Sequence, residues 1–187
     1  MYSTSSEEEE YYDPVFERTF AKSHKTDAIL VVDGKKLHVN KALLSYHSDY
    51  FKALFNSEFK EKSMEEIPIE DVKFEDFATL LSIVHDHPLE ITKSNAANLL
   101  KLADRFLLNT PKRLIANLVK ISPEFSRYEK LILADEHQLD DLFDHALKLY
   151  DSKETFLDFA FTTADLSDSS KAKIFDELFW YHCRIFE

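Results

Sequence analysis

His85 and His87 form a His-x-His pair, a spacing that on a strand puts two imidazoles on one side. Here the pair closes a helical pattern beside Pro88. No cysteine or acidic cluster stands at a metal-binding spacing from it, so no bound metal is expected. His182 and Cys183 are adjacent, but neighbours on a helix point roughly 100° apart, the wrong geometry for a nucleophile and its base. Asp104 and Asp135 are the carboxylates in the most apolar settings, each directly after a Leu-Ala pair. Helix capping or an interhelical hydrogen bond is the role expected of them. There is no Gly-x-Ser-x-Gly elbow, no phosphate-binding glycine loop and no kinase signature. The residues point to no catalytic, cofactor-binding or metal site, and the expectation is a protein that is not an enzyme.

Composition agrees. One glycine in 187 residues weighs against phosphate loops, dinucleotide turns and all-β folds rich in tight turns. Sixteen phenylalanines and 44% hydrophobic residues argue for a folded core. The net charge of −12 repels phosphate backbones and anionic lipid, so neither nucleic acid nor a membrane is an expected partner. The densest basic run, Lys112-Arg113 with Lys101, Arg105 and Lys120, sits among helical apolar positions as a solvated face. No apolar run approaches the ~20 residues of a membrane span, and the acidic start is unlike a secretory signal. Cys183 is the lone cysteine and cannot form an internal disulfide; a reducing home, cytoplasmic or nuclear, is expected.

Residues 1–13 carry five acidic side chains and no basic one, the mark of a disordered acidic tail. Ser5 and Ser6 each precede a glutamate by three residues, a spacing suited to an acid-directed kinase, although a solubilising tail is the expected role. Asp13-Pro14 opens a short helix whose Val15, Phe16 and Phe20 find too few sequence neighbours to cover them. Thr26 to Val39 is a β-hairpin about Asp33-Gly34, whose type I′ turn needs positive φ at both central residues. The first strand is apolar throughout, which favours a central position. Lys41 to Phe55 reads as one or two helices, with Ser48 able to cap the second. Pro68 places the short strand at Ile67 to Ile69 on a sheet edge or leaves the ladder without a donor at that position.

From Phe74 the pattern is helical almost to the end. Phe74, Phe77, Leu80, Leu81 and Val84 mark one helix; Ala96 to Leu107 mark the next, with Thr92 and Ser94 as candidate caps. Thr110-Pro111 and Ser122-Pro123 are expected to open two more, each with a hydroxyl cap followed by proline. Further helical patterns run through Leu139 to Tyr150, Phe156 to Phe161 and Ile174 to Tyr181. The segments 99–108 and 131–142 share a Leu-Ala-Asp core and a leucine that reopens a helix, so one helix-pair unit is expected twice.

These residues resemble the BTB/POZ domain. The likeness runs through Asp27-Ala-Ile-Leu-Val-Val-Asp-Gly, Leu37-His-Val-Asn-Lys41, Leu43-Leu44, Ser48, Tyr50-Phe51, Leu54-Phe55, Glu61, Ile67 to Val72, Phe74 to Phe77 and Leu99 to Phe106. It departs at Asn40, where many members have histidine, and at His85 to Pro88, where the family has Tyr-Thr-Gly. The wording is similar to the nematode group that includes MATH-BTB proteins, without a MATH domain here. The resemblance implies an α+β fold, a small sheet with a β-hairpin surrounded by helices, over residues 14–120. A helical extension similar to a three-box or BACK region follows over 121–187. It also implies an adaptor that recruits an unknown protein substrate to a cullin-3-type ubiquitin ligase. Phe59, Glu61 and Tyr128 would then contact the cullin, and Val15, Phe16 and Phe20 would form a homodimer interface. The alternative is a dimeric BTB scaffold in transcriptional or cytoskeletal assemblies, without ligase coupling.

Overall fold

A computed structural model describes residues 14–56, 66–85, 88–152 and 165–184. The acidic tail, Phe59 with Glu61, His87 and the segment Phe156 to Phe161 lie outside the described residues.

Three strands form the sheet: β1 (Ala28–Val32), β2 (Lys35–Val39) and β3 (Glu66–Pro68), in the order β2-β1-β3. β1 and β2 are antiparallel with Leu30 opposite Leu37, and β3 lies parallel to β1 with Ile67 opposite Leu30. The turn has φ +49° at Asp33 and +74° at Gly34, as the hairpin sequence requires. The apolar β1 is central and the strand bearing Pro68 is at the edge. Leu30, Val32, Leu37 and Val39 are fully buried on one face, while Ile29 and Val31 are half-buried on the other. The Asp33 carboxylate also accepts from the Phe74 N–H at 3.1 Å, so the hairpin turn seats the start of α4 (Phe74–Ser82).

A short α1 (Pro14–Thr19) precedes the sheet. α2 (Lys41–His47) is capped by Asn40, whose side chain accepts from the Leu43 N–H at 2.8 Å and donates to the Lys25 carbonyl at 2.6 Å. Ser48 caps α3 (Asp49–Asn56): its Oγ accepts from the Phe51 N–H at 3.0 Å and donates to the Phe106 carbonyl at 2.6 Å. Around this hydroxyl the Phe106 ring packs on Tyr50, Phe51 and Phe77, with centroids 5.0–5.8 Å apart.

The helical remainder comprises α5 (Ala96–Arg105), α6 (Asn109–Ile121), α7 (Arg127–Glu136), α8 (Asp140–Leu147) and α9 (Asp168–Arg184). The helix-pair repeat is visible in the backbone. Leu107 and Gln138 both adopt left-handed φ, +51° and +53°. After each, a leucine N–H returns to the alanine of the Leu-Ala-Asp core: Leu108 to the Ala103 carbonyl and Leu139 to the Ala134 carbonyl, both 2.8 Å. This is a Schellman closure, which satisfies the carbonyls left over at a helix end.

Three capping expectations differ from the structure. α6 starts at Asn109, not behind a Thr110 cap, because the Schellman corner leaves Leu108 placed to accept from the Lys112 N–H at 3.0 Å. Pro111 then falls in the first turn, where an N–H would have no intrahelical partner. Ser122 ends α6 by donating its N–H to Leu118, and Ser126 caps α7 instead. Thr92 and Ser94 bond each other at 2.9 Å; the turn before α5 is closed by Asn95, which accepts from the Thr92 N–H at 2.8 Å.

Gln138 is an exposed residue in a left-handed corner that costs a non-glycine side chain about 1–2 kcal/mol. Gln138→Gly should therefore stabilise the fold by about 0.5–1 kcal/mol, read as a higher urea midpoint at unchanged slope.

Candidate interaction surface

The helix-pair extension meets the preceding helices at an open groove of about 410 Å³. Ala97 of α5 and Phe125, Ile132 and Leu133 beside or on α7 give it an apolar floor, and Tyr128 stands at its side. Ser126 and Glu129 fix α7 through a reciprocal capping box: the Glu129 N–H donates to Ser126 Oγ at 3.2 Å, and the Ser126 N–H donates to Glu129 Oε2 at 2.8 Å. Lys93 reaches across from the segment before α5. Its ammonium lies 2.8 Å from Glu129 Oε1, donates to the Glu124 carbonyl at 2.9 Å, and stands 5.8 Å from the Phe125 ring centre. Tyr128 donates its hydroxyl to Asp165 Oδ2 at 3.2 Å.

Electrostatics follow from these contacts. The hydrogen bond from Lys93, then those from Ser126, hold Glu129 down at about 2. Burial, then the hydrogen bond and charge of Asp165, push the Tyr128 phenol up. Neither group is poised to exchange a proton near neutral pH. A floor of Phe, Ile, Leu and Ala under a charged rim has the chemistry to accept an apolar side chain.

Tyr128 is the described member of the expected cullin-contacting set; Phe59 and Glu61 fall between α3 and β3, outside the described residues. Of the expected dimer residues, Val15 and Phe16 are half-buried on α1, and Phe16 packs edge-on against Phe74 with centroids 5.4 Å apart. Phe20 is 2% exposed and rests against His85 at 5.1 Å, so its own chain already covers it. No metal-binding cluster occurs among the described residues. Asp104 and Asp135 take the structural roles expected. Asp104 bonds His137 Nδ1 at 2.6 Å and pairs with Lys112. Asp135 accepts from the Ser167 N–H and Oγ at 2.6 Å and from Ser170 Oγ at 2.5 Å. Lys93, Glu129 and Asp165 were not anticipated at the groove. Ser126-x-x-Glu129 is a readable capping box, but nothing in the sequence joins it to Lys93 or Asp165.

The chain belongs to the BTB/POZ domain family, whose model matches residues 16–122, more than half of its length. It is 36% identical over 163 residues to a BTB/POZ domain-containing protein of Caenorhabditis elegans, covering 84% of this chain and 51% of that one. It is 33% identical over 133 residues to BTB and MATH domain-containing protein 36 of the same organism, covering 71% and 42%. The chain thus spans about half the length of these curated relatives. Among solved structures, the BTB domain of human gigaxonin aligns over 63% of this chain and 98% of that one, at 19% identity and a TM-score of 0.45. The small mixed sheet wrapped by helices is the α+β fold expected for the family. No helix among the described residues is long and apolar enough to cross a membrane.

Because its folded pKa is depressed, Glu129 contributes stability that is complete above its ordinary value of 4.5 and is lost as pH falls towards about 2. The melting-temperature gap between the natural chain and Glu129→Gln should be full at neutral pH and close across that acid window, as scanning calorimetry would show.

Proposed function

We propose that this chain is a non-enzymatic adaptor that brings a protein substrate to a cullin-3-type scaffold for ubiquitination, acting as a homodimer. Membership of the BTB/POZ family supports an interaction module, and its nematode relatives include BTB and MATH domain-containing proteins. The observation that carries the finer proposal is the open apolar groove between α5 and α7, with Tyr128 at its side. It lies where the domain matched by the family model gives way to the next helix pair, and the scaffold would seat an apolar side chain there. Phe59 and Glu61 would add an aromatic anchor and a charge from the connection between α3 and β3.

The dimer would use the half-buried Val15 and Phe16 of α1, with Phe20 seating that helix in its own core. Covering them with the same surface of a second copy removes apolar area from water on both sides.

Pull-down with a cullin-3 N-terminal domain should capture the full chain, and Tyr128→Ala or Phe59→Ala with Glu61→Ala should weaken capture at least about tenfold. Undiminished binding by both variants would remove these site assignments. Absence of binding by the natural chain would leave a dimeric BTB scaffold without ligase coupling.

In sedimentation the chain should run at twice its monomer mass, and Val15→Glu should shift it towards monomer. A natural chain that stays monomeric at every concentration would withdraw the role given to α1.

A further inference from the structure

Beside the end of α1 lies a cleft of about 590 Å³ lined by Arg18, His24, Lys25 and His38, together with Asn40 and His85. Among the described residues no carboxylate lines it. Six lysines elsewhere among the described residues pair with Asp or Glu. Arg18 and Lys25 have no such partner there. In a chain of net charge −12, a cleft whose described lining gathers two fixed cations and three imidazoles and no acid stands apart from the surrounding field.

Its wall is built, not incidental. Asn40 Nδ2 holds the Lys25 carbonyl at 2.6 Å, Thr26 Oγ1 accepts from the Ser23 N–H at 3.0 Å, and the His38 N–H donates to the Phe20 carbonyl at 3.1 Å. These bonds pin the segment between α1 and β1 against the end of β2, so the cations are presented from a fixed backbone. The chemistry such a cleft takes is a run of carboxylates.

We infer that the cleft is the docking site of this chain's own acidic segment, Glu7 to Glu10. Charge complementarity is the first argument: the sequence carries four consecutive glutamates, and the described lining of the cleft is basic and holds no acid. Connectivity is the second. The segment joins α1 at Pro14, and Arg18 and Thr19, at the far end of that helix, line the cleft. Six helical residues rise about 9 Å. Extended chain from Asp13 back to Glu10 spans about 10 Å, and to Glu7 about 20 Å, so the glutamates reach the cleft by folding back along α1. A tether this short supplies a millimolar effective concentration, enough to fill a site whose affinity for a free peptide would be weak. The docking is ionic and therefore salt-sensitive.

The test uses the full chain. A nitroxide is attached at Ser5→Cys in a Cys183→Ser background, and amide signals of Ser23 to Thr26 and His38 to Asn40 are followed by NMR. At about 20 mM salt these signals should lose intensity, and at about 500 mM they should recover. Arg18→Glu with Lys25→Glu, two exposed positions whose fold is checked by circular dichroism, should abolish the loss at low salt. An unlabelled second measurement replaces Glu7 to Glu10 with glutamine; the cleft amides should then shift at low salt to their high-salt positions. Intact signals at low salt, a loss that survives charge reversal, or a loss seen only between spin-labelled and isotope-labelled copies mixed together would each overturn the inference.

Discussion

One buried hydroxyl ties the start of α3 to the end of α5. Ser48 is 2% exposed and sits between α2 and α3, where its Oγ accepts from Phe51 and donates to the Phe106 carbonyl. That carbonyl belongs to Phe106, the C-cap of α5, and a helix end buried without a partner for its carbonyls is destabilised by the full desolvation of each group. Ser48 therefore solves two problems with one atom, starting α3 and finishing α5. The backbone follows, since Ser48 and Leu108 form an isolated bridge. With Phe106 fixed, its ring becomes the centre on which Tyr50, Phe51 and Phe77 pack, so three helices share one aromatic nucleus. A serine so placed has no substitute among apolar residues.

The corner that Ser48 locks is then used again. Leu102-Ala103-Asp104 and Leu133-Ala134-Asp135 end their helices with the same closure and reopen the chain at Leu108 and Leu139. The aspartates link successive units. Asp104, at the first corner, holds His137 at the second; Asp135, at the second, holds Ser167 and Ser170 at the start of α9. Each unit thus offers an acceptor to the next, and hydrogen bonds to a charged group are worth more than neutral ones. The two carboxylates in the most apolar stretches of the sequence thus register one helix pair against another, the interhelical role expected of them.

How much of this was legible depends on how local each signal is. The Asp33-Gly34 turn, the central β1, the Ser48 cap and the doubled Leu-Ala-Asp unit each rest on a few consecutive residues, and each is found where the sequence put it. The cap misassignments at Thr110 and Ser122 share one cause. Proline tolerates the whole first turn of a helix, so Ser-Pro and Thr-Pro mark the neighbourhood of a start and not its first residue. At Ser126 the reciprocal partner Glu129 made the true cap readable. Of the groove only Tyr128 was singled out in advance, through the family resemblance, and nothing of the cleft was, because Lys93, Tyr128 and Asp165 in one, and Arg18, Lys25 and His38 in the other, meet only through tertiary packing. α1 falls between these cases: its apolar side was visible, but that Phe20 is covered by its own chain while Val15 and Phe16 are only half-covered depends on where Phe74 and His85 arrive.

Charge sets how the two surfaces can be used. A chain at −12 draws basic partners from a distance and turns acidic ones away, within the roughly 8 Å over which charges act at physiological salt. The groove between α5 and α7 depends less on that field, since its floor is apolar and Lys93 at its rim is matched by Glu129. Affinity for the proposed partner would come from buried area, which is insensitive to salt. The cleft beside α1 is the reverse case. Its cations favour a ligand that the rest of the molecule repels, so a free acidic peptide would have to overcome the whole negative surface to arrive. A ligand already attached to α1 avoids that barrier. Salt should therefore separate the two surfaces cleanly, leaving the apolar groove competent while emptying the basic cleft.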